Sequence, residues 1–232
     1  MQKTIISLSI VIFSISTSFA QFGINGGYHF NDAEKWKIVN GDNTNDVIHD
    51  FYENNIGFGI DYWFRLPNKR IEFTPELNYQ NNKNSYQYDP LKYELSSTTI
   101  SFFANTNFYV FDLKGDCHCP TFSKKGPELQ KGLFLRISPG VSYFSSNIQS
   151  TGIESKGEAF AFSIGAGAGI DFGISEFVTI TPIAMFRYYP TLDWKDISTV
   201  DIGIKEWNYP EDETSLKQIY LGLRLGFRFD YQ

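Results

Sequence analysis

Residues 219–231, Ile-Tyr-Leu-Gly-Leu-Arg-Leu-Gly-Phe-Arg-Phe-Asp-Tyr, carry the pattern that decides the fold of this 232-residue chain. Every second residue from Ile219 to Tyr231 is aliphatic or aromatic, while arginine, glycine and Asp230 fill most of the alternate positions. Side chains two residues apart lie on the same face of a β-strand. The stretch therefore predicts a strand with one apolar face and one charged face.

The same period of two recurs in seven earlier stretches, and we find no amphipathic helix between them. The connections between these stretches alternate between long and short, as in up-and-down barrels. The sequence therefore predicts an all-β fold, an eight-stranded antiparallel up-and-down transmembrane β-barrel. The earlier stretches are 22–30, 56–64, 71–79, 100–110, 133–143, 160–172 and 178–188.

Charged residues fall on one face of the predicted strands and are absent from the other. Five are acidic and five are arginines, and a closed interior needs such a balance because a buried charge must be paired. We expect these residues to form an interior charge network. The alternative is a soluble lipocalin-like barrel, which would turn the apolar face inward and the arginines outward. The ten residues are Asp61, Arg65, Glu72, Glu76, Arg136, Asp171, Arg187, Arg224, Arg228 and Asp230.

The composition excludes several other classes of protein. Aromatic residues reach 17%, which a disordered chain would not show, and no run of about 20 apolar residues predicts a membrane-spanning helix. A net charge of −6 argues against nucleic-acid binding. Two cysteines cannot form a disulfide scaffold or a complete structural zinc site, and no cofactor motif is present.

The first 20 residues have the organisation of a secretory signal peptide. Lys3 precedes an apolar stretch, 5–15, and Ser18-Phe19-Ala20 supplies small residues at a cleavage site. The alternative is an uncleaved anchor, for which the apolar stretch is short. We expect residues 1–20 to be removed and residues 21–232 to form the barrel.

The lengths of the connections predict which end of the barrel faces outward. Outer-membrane barrels have long outer loops and short periplasmic turns. We therefore assign 31–53 and 189–214 as long outer loops. The connection 112–131 breaks the alternation, because it is long but should face the periplasm, and we predict a periplasmic insert there.

Cys117-His118-Cys119 lies within this insert. In an oxidising compartment two nearby thiols usually form a disulfide, although a Cys-x-Cys ring is tight. The alternatives are a metal site, for which a further ligand is needed, and a docking or redox element. We keep Cys117 and Cys119 as a candidate disulfide or docking element.

The two long outer loops are acidic. Oxygen ligands within 42–53 are spaced as in a calcium-binding loop, but Val47 stands where such a loop needs glycine. An acidic surface loop is the simpler interpretation. In 189–214 aromatic and aliphatic residues alternate with the acids, which suits either a binding surface for a protein, glycolipid or sugar, or packing onto the barrel rim.

An enzymatic role has little support in the sequence. The chain has three histidines, His29, His49 and His118, and none accompanies a nucleophile motif. A histidine buried inside the barrel explains His29 more simply. We therefore predict no catalytic residues, no metal site and no cofactor, with a lipid-modifying enzyme or protease as a remote alternative.

The combination of signal peptide, eight alternating strands, Thr-Pro or Ser-Pro near strand starts and final aromatics at 227, 229 and 231 resembles the small outer-membrane β-barrel-domain family. This family is called PorT-like or "porin family", and it is similar in shape to the OmpA, OmpX and OmpW barrels. The resemblance covers the whole predicted mature chain.

The resemblance implies an outer-membrane location, contact with outer-membrane lipids and recognition by the barrel-assembly machinery. It also implies an accessory role, related to secretion in the PorT branch, with a larger membrane or periplasmic protein as a partner. Eight strands enclose only enough room for side chains, which argues against an open porin. A binding or transport module for a small hydrophobic ligand is the alternative function.

Overall fold

The computed structural model describes residues 21–40, 47–66, 69–88, 91–111, 132–150, 153–175, 177–195, 197 and 211–228. Within these ranges the regular structure consists of β-strands, and no helix is long and apolar enough to cross a membrane. The described strands are β1 (Gln21–Ala33), β2 (Lys37–Asn40), β3 (Val47–Asp50), β4 (Asn55–Tyr62), β5 (Phe64–Arg65), β6 (Ile71–Tyr88), β7 (Leu91–Tyr109), β8 (Leu133–Ile137), β9 (Gly140–Ser150), β10 (Ile153–Ile170), β11 (Phe172–Gly173), β12 (Val178–Asp193) and β13 (Glu213–Arg228).

Antiparallel pairing closes the sheet into a ring. Strand β13 pairs with the whole length of β1, from Gln21 opposite Arg228 to Ala33 opposite Leu216, so the first and last strands are neighbours. The ring then runs through β4, β6, β7, β8 with β9, β10 and β12, and returns to β13. Counting β4 with β5, β8 with β9 and β10 with β11 gives eight antiparallel strands. The predicted eight-stranded up-and-down barrel is confirmed.

A proline interrupts one of these eight strands. Strands β8 and β9 lie end to end, and Ser138 and Pro139 separate them. Proline has no amide hydrogen to give to a ladder. The break is nevertheless bridged, because Ser138 and Gly165 exchange two backbone hydrogen bonds and Ala104 N donates to Pro139 O at 2.9 Å.

The barrel has two ends, which we name the terminal end, where β1 begins and β13 finishes, and the loop end. At the loop end the strands continue further than the sequence pattern suggested. Residues 82–94 and 145–157, which the periodicity left as connections, are largely strand. Pairing of β6 with β7 extends to Tyr88 opposite Leu91, that of β7 with β9 to Glu94 opposite Gln149, and that of β9 with β10 to Ser150 opposite Ile153. We call the described residues of 81–98 and 145–158 the protruding sheet.

The predicted outer loops 31–53 and 189–214 are shorter in the structure, since β1 extends to Ala33, β12 to Asp193 and β13 begins at Glu213. The first loop contains the hairpin of β2 and β3. Apolar side chains from both loops pack with the protruding sheet into one buried cluster, which we call the cap. Its members are Ala33, Trp36, Phe51, Tyr52, Leu95, Phe144, Ile148, Ala161, Tyr189, Leu192, Trp194, Ile197 and Leu216.

Aromatic edge contacts hold the cap together. The Trp194 ring lies 5.8 Å from Trp36 and 5.0 Å from Phe51, measured between ring centroids. The indole of Trp36 donates to Glu211 O at 2.7 Å, and Tyr52 shares a 2.8 Å hydrogen bond with Ser146. Burial raises the pKa of the Tyr52 hydroxyl, which stays neutral. A hydrophobic core therefore lies across the loop end of the barrel.

Glycines at inward positions of β10 accommodate large neighbours, but not the ones that the sequence suggested. In the sequence, the inward phase of Gly165, Gly167 and Gly169 predicts strand curvature or room for large facing side chains, with Phe103, Tyr109 and Trp63 as candidate occupants. The side chains found against these three glycines are instead those of Arg187, Met185 and Phe134. The difference arises because the register of neighbouring strands, which one sequence does not reveal, decides which side chains meet.

Candidate functional site: a charged interior inside an apolar wall

The outer wall of the barrel is apolar. Phe160 and Phe162 on β10 are 74% and 76% exposed, and outward-facing residues on the other strands are exposed as well. Soluble monomeric proteins rarely expose this much apolar surface. The exposed large hydrophobic residues include Phe22, Ile24, Tyr28, Phe30, Ile56, Phe58, Ile60, Leu77, Tyr79, Ile100, Phe102, Leu135, Ile137, Ile164, Phe186, Ile219, Leu221 and Leu223.

The apolar band has a defined height. Along β10 and β11 it runs from Phe160 to Phe172, which at about 3.3 Å per residue and a tilt of about 40° spans about 30 Å. Above it, outward positions turn polar on every strand of the protruding sheet, beginning with Asn81, Thr98, Ser145 and Glu158. The band therefore matches the hydrocarbon thickness of a bilayer.

The inner face carries the charges. Asp61, Glu72, Glu76, Asp171, Arg136, Arg187 and Arg224 are all buried, and the side chain of Arg65 is 8% exposed. The two faces are thus the reverse of those in a soluble lipocalin-like barrel. The side chain of Arg228 and all of Asp230, as well as Cys117 and Cys119, lie outside the described residues.

Near the terminal end, Arg224 on β13 forms an ion pair with Asp61 on β4. Its Nε donates to Asp61 Oδ2 at 2.8 Å, while its Nη2 donates to Oδ1. A two-point contact of this kind uses one edge of the planar guanidinium. Gly23 lies beneath the pair, and a Cβ there would come within 2.7 Å of both side chains. Glycine on β1 is therefore what leaves space for this buried ion pair.

A second cluster surrounds Tyr109 and joins side chains from β5, β6, β7, β12 and the junction of β10 with β11. The Tyr109 hydroxyl is 2.8 Å from Glu72 Oε2 and also contacts Asp171 Oδ2, while Thr181 donates to the other oxygen of Asp171. Arg65 donates to Glu72 Oε1 from Nη2 at 2.8 Å and from Nε at 3.3 Å. Here too the Nε and Nη2 edge of an arginine faces a carboxylate.

Glu76 and Arg136 are satisfied by amides rather than by each other. Asn105 and Asn78 donate to the two Glu76 oxygens at 2.8 and 3.3 Å. The Nε of Arg136 donates to Asn107 Oδ1 at 2.7 Å. The amide residues Asn78, Asn105 and Asn107 were not among the predicted network residues. Their positions in the alternating pattern of β6 and β7 nevertheless place them on the same inner face.

Arg187 lies apart from every carboxylate among the described residues. It is fully buried, and its guanidinium carbon stacks 3.9 Å from the centre of the Phe103 ring and 5.3 Å from that of Tyr220. It donates a hydrogen bond from Nη1 to Gln218 Oε1 at 3.3 Å. Its Nε and Nη2 have no hydrogen-bond partner in the part of the chain that the structure describes.

Three further residues are buried among these groups, and the sequence pattern missed one of them, Arg70. Arg70 is fully buried and lies 4.5 Å from the Tyr109 ring, although it precedes β6 and escaped the strand pattern. Trp63 lies between Arg65 and Arg224, 5.6 and 6.0 Å from their guanidinium carbons. His29 is buried against Tyr220, with ring centroids 4.8 Å apart.

Within the ranges that the structure describes, no group of three or more His, Cys, Asp or Glu residues is placed to hold a metal ion. The interior is instead a set of separate ion pairs and amide contacts, packed among aromatic rings. This arrangement keeps the charged side chains inside the closed barrel.

No protein-family model matches this chain, and no curated protein matches it significantly. Among solved structures, the barrel is similar to Neisserial surface protein A, with 10% sequence identity over 90% of this chain and 97% of that one and a TM-score of 0.45.

Two other solved structures show the same degree of likeness. Ail, the attachment invasion locus protein of Yersinia pestis, is 13% identical over 90% of this chain and 99% of that chain, with a TM-score of 0.46. A major outer membrane protein from Thermus thermophilus is 11% identical over the same shares, with a TM-score of 0.45. These neighbours are outer-membrane β-barrel proteins, and the fold of the present chain rests on its own strand pairings.

Proposed function

We propose that this protein is an integral outer-membrane β-barrel with a sealed interior and a structural or docking role, neither an open porin nor an enzyme. The observation that carries the proposal is the pairing of an exposed apolar band about 30 Å high with buried arginine–carboxylate pairs inside. The apolar band is the surface expected in contact with lipid hydrocarbon, and the buried ion pairs are expected in a closed lumen.

The orientation of the barrel follows from its ends. The terminal end would face the periplasm, since both chain ends do so in barrels with an even strand number. The loop end, with the cap and the protruding sheet, would then face the cell exterior. Export through a cleaved signal peptide, insertion by the barrel-assembly machinery and contact with outer-membrane lipids are part of this proposal.

The outer face of the protruding sheet supports a docking role. Twelve outward side chains form three cross-strand rows without an aliphatic or aromatic residue, and five of them are charged. A flat polar face beyond the membrane suits a polar partner such as a larger membrane or secretion-related protein. The rows are Asn81, Thr98, Ser145, Glu158; Lys83, Ser96, Asn147, Lys156; and Ser85, Glu94, Gln149, Glu154.

Membrane fractionation tests the location. The protein should stay in the outer-membrane fraction after alkaline extraction, and it should migrate faster in detergent gels when unheated than when boiled. Both results follow from a barrel embedded in lipid, because detergent leaves such a barrel folded until it is heated. Release into the soluble fraction by alkali would overturn the proposal.

Site-directed photo-cross-linking tests the docking role separately. A photoreactive residue at Ser96 or Asn147 should yield a discrete protein adduct in intact cells. The matched control is Leu135 in the apolar band, which should yield lipid adducts at most. Protein adducts of equal intensity at all three positions, or at none of them, would contradict docking through the protruding sheet.

A second candidate function is the binding of a small hydrophobic ligand. A groove of about 650 Å³ lies on the outer wall, bordered by Pro182, Ala184, Leu221 and Leu223. An apolar ligand would reach it from the membrane. Ligand-dependent quenching of a fluorophore placed at Ala184 would support this candidate, and the absence of quenching by any apolar ligand would remove it.

A further inference from the structure

In two of three arginines inside the barrel, the Nε and Nη2 edge of the guanidinium faces a carboxylate, and in the third it does not. Arg224 and Arg65 each direct Nε and Nη2 at a carboxylate of this chain, Asp61 and Glu72. Arg187 has both of these nitrogens buried and without a hydrogen-bond partner among the described residues. A buried guanidinium edge without an acceptor destabilises the folded state, because its hydrogen bonds to water are lost and no protein hydrogen bonds replace them.

The surroundings hold the Arg187 guanidinium in place. Phe103 and Tyr220 contact it through their rings, and Gln218 binds Nη1, away from the Nε and Nη2 edge. The stem packs on the inner face of Gly165, where a Cβ would approach Arg187 Cγ within 2.9 Å. Arg187 is therefore not free to swing toward a distant carboxylate.

Glu76 does not serve as the counter-ion of Arg187. Both Glu76 oxygens accept hydrogen bonds from Asn78 and Asn105, and no guanidinium among the described residues reaches Glu76 within 4 Å. Glu76 is therefore already occupied by amide donors, and the Nε and Nη2 edge of Arg187 has no carboxylate acceptor among the described residues.

Two residues that neighbour Arg187 carry buried hydroxyls without a hydrogen-bond partner in the described ranges. The Tyr220 hydroxyl belongs to the ring that stacks on the guanidinium, and it has no hydrogen-bond partner. The Ser138 hydroxyl is also unpartnered, and Ser138 Cβ packs against the same glycine as Arg187, 3.2 Å from the position of a Cβ on Gly165. Neither hydroxyl supplies the acceptor that the Nε and Nη2 edge of Arg187 lacks.

We infer that the barrel interior binds one small monovalent anion, of the size of chloride or formate, on the Nε and Nη2 edge of Arg187. An oxyanion or halide there completes the contact that Asp61 and Glu72 complete for the other two arginines. The anion must be small because aromatic rings pack tightly against the surrounding glycines, for example Tyr220 on Gly27. The site is independent of the proposed membrane location.

The test uses the full mature chain refolded in detergent micelles, with bromide, chloride or formate as the probe at constant ionic strength in sodium gluconate. A ligand that binds the folded state stabilises it in proportion to the logarithm of (1 + [L]/Kd). The unfolding equilibrium constant should thus fall about a hundredfold at about 100 times Kd. Arg187→Gln should abolish this dependence, whereas Arg136→Gln, which removes another buried guanidinium, should leave it intact.

A direct readout needs no variant. Crystals grown in bromide should show one anomalous peak within hydrogen-bond distance of Arg187 Nε and Nη2, and chloride or formate should compete for it. If Arg187→Gln fails to fold, Arg187→Lys keeps the charge but lacks the two-point edge, and it should weaken the anion dependence about tenfold or more. The inference would be overturned if the stability of the wild-type protein did not change with any of the three anions, or if water alone explained the electron density at Arg187.

Discussion

Individual side chains inside this barrel are positioned by glycines as much as by their own contacts. Gly23 leaves room for the Arg224–Asp61 pair, Gly157 for the Trp194 ring and Gly169 for the Phe134 ring. In each case an added Cβ would come within 2.7 Å of the neighbouring side chain. The narrow lumen of an eight-stranded barrel is filled in this way, with large side chains lying over positions that have none.

The Arg224–Asp61 pair should dominate the stability of the terminal end. Arg224→Gln leaves a buried carboxylate without its partner, so we expect the free energy of unfolding to fall by about 3–5 kcal/mol. Lys83→Gln, which removes the exposed 3.8 Å contact with Glu94, should change it little. Urea titration of the micelle-bound protein, followed by gel migration, measures both. Equal losses would contradict the assignment of inner and outer faces.

Gly169→Ala should destabilise the barrel because its Cβ would lie 2.4 Å from Phe134 Cζ. Overpacking of this kind costs about 1–3 kcal/mol. Adding Phe134→Leu should recover part of the loss, since the two positions are in direct contact and their effects are therefore coupled. The outward-facing Gly26→Ala is the control. Strictly additive effects of the two changes would argue against the contact.

Strands and loops combine differently at the two ends of the barrel. At the loop end β6, β7, β9 and β10 continue beyond the apolar band, and their inward residues pack on Trp36, Tyr52 and Trp194. Pairing between β10 and β12 stops at Ile164 opposite Tyr188. Above that level the two strands are held together by side chains of the cap and no longer by a described backbone ladder.

The cap should therefore depend on its central tryptophan. Trp194→Ala removes ring contacts to Trp36 and Phe51, and truncation of a buried tryptophan costs about 3–5 kcal/mol. We expect the barrel to stay heat-modifiable while residues 31–53 become sensitive to added protease. Phe162→Ala, which removes a lipid-facing ring, should leave protease resistance unchanged. Unaltered cleavage in the Trp194 variant would show that other residues suffice to hold the cap.

The connection 112–131 should be dispensable for the barrel. Strands β7 and β8 already pair on either side of it, from Thr106 opposite Ile137 to Tyr109 opposite Phe134, so a short turn can join them. We expect a chain without residues 114–130, and so without Cys117 and Cys119, to fold and to remain heat-modifiable. Loss of heat-modifiable migration in this deletion would show that the insert has a structural role.

At the level of the apolar band, the molecule is a closed cylinder with charged groups inside and apolar groups on its outer wall. The cap lies across the loop end, and aromatic and charged side chains fill the middle. Eight strands leave no continuous aqueous channel in such an arrangement.

Purified protein in planar lipid bilayers should consequently show no steady ion conductance. The physical reason is that an ion would have to displace the buried Arg224–Asp61 and Arg65–Glu72 pairs and the cap aromatics. Voltage-clamp recording over hours measures this, with a known porin as the positive control for insertion. Long-lived openings of constant size would contradict a sealed interior.

The sequence by itself determined the number of strands, the two-sided pattern and which face carries charge, because a period of two is a local property of each strand. It also placed Asp61, Glu72, Arg136 and Arg224 on one face. The tertiary structure alone decided that Arg224 pairs with Asp61 and Arg65 with Glu72. It also decided that Arg187 pairs with neither of these two carboxylates. Partners across a barrel depend on register summed around the ring, and a shift of one residue would exchange the two faces of a strand. The cap was likewise decided by tertiary packing, since its members come from loops and strand ends far apart in the chain.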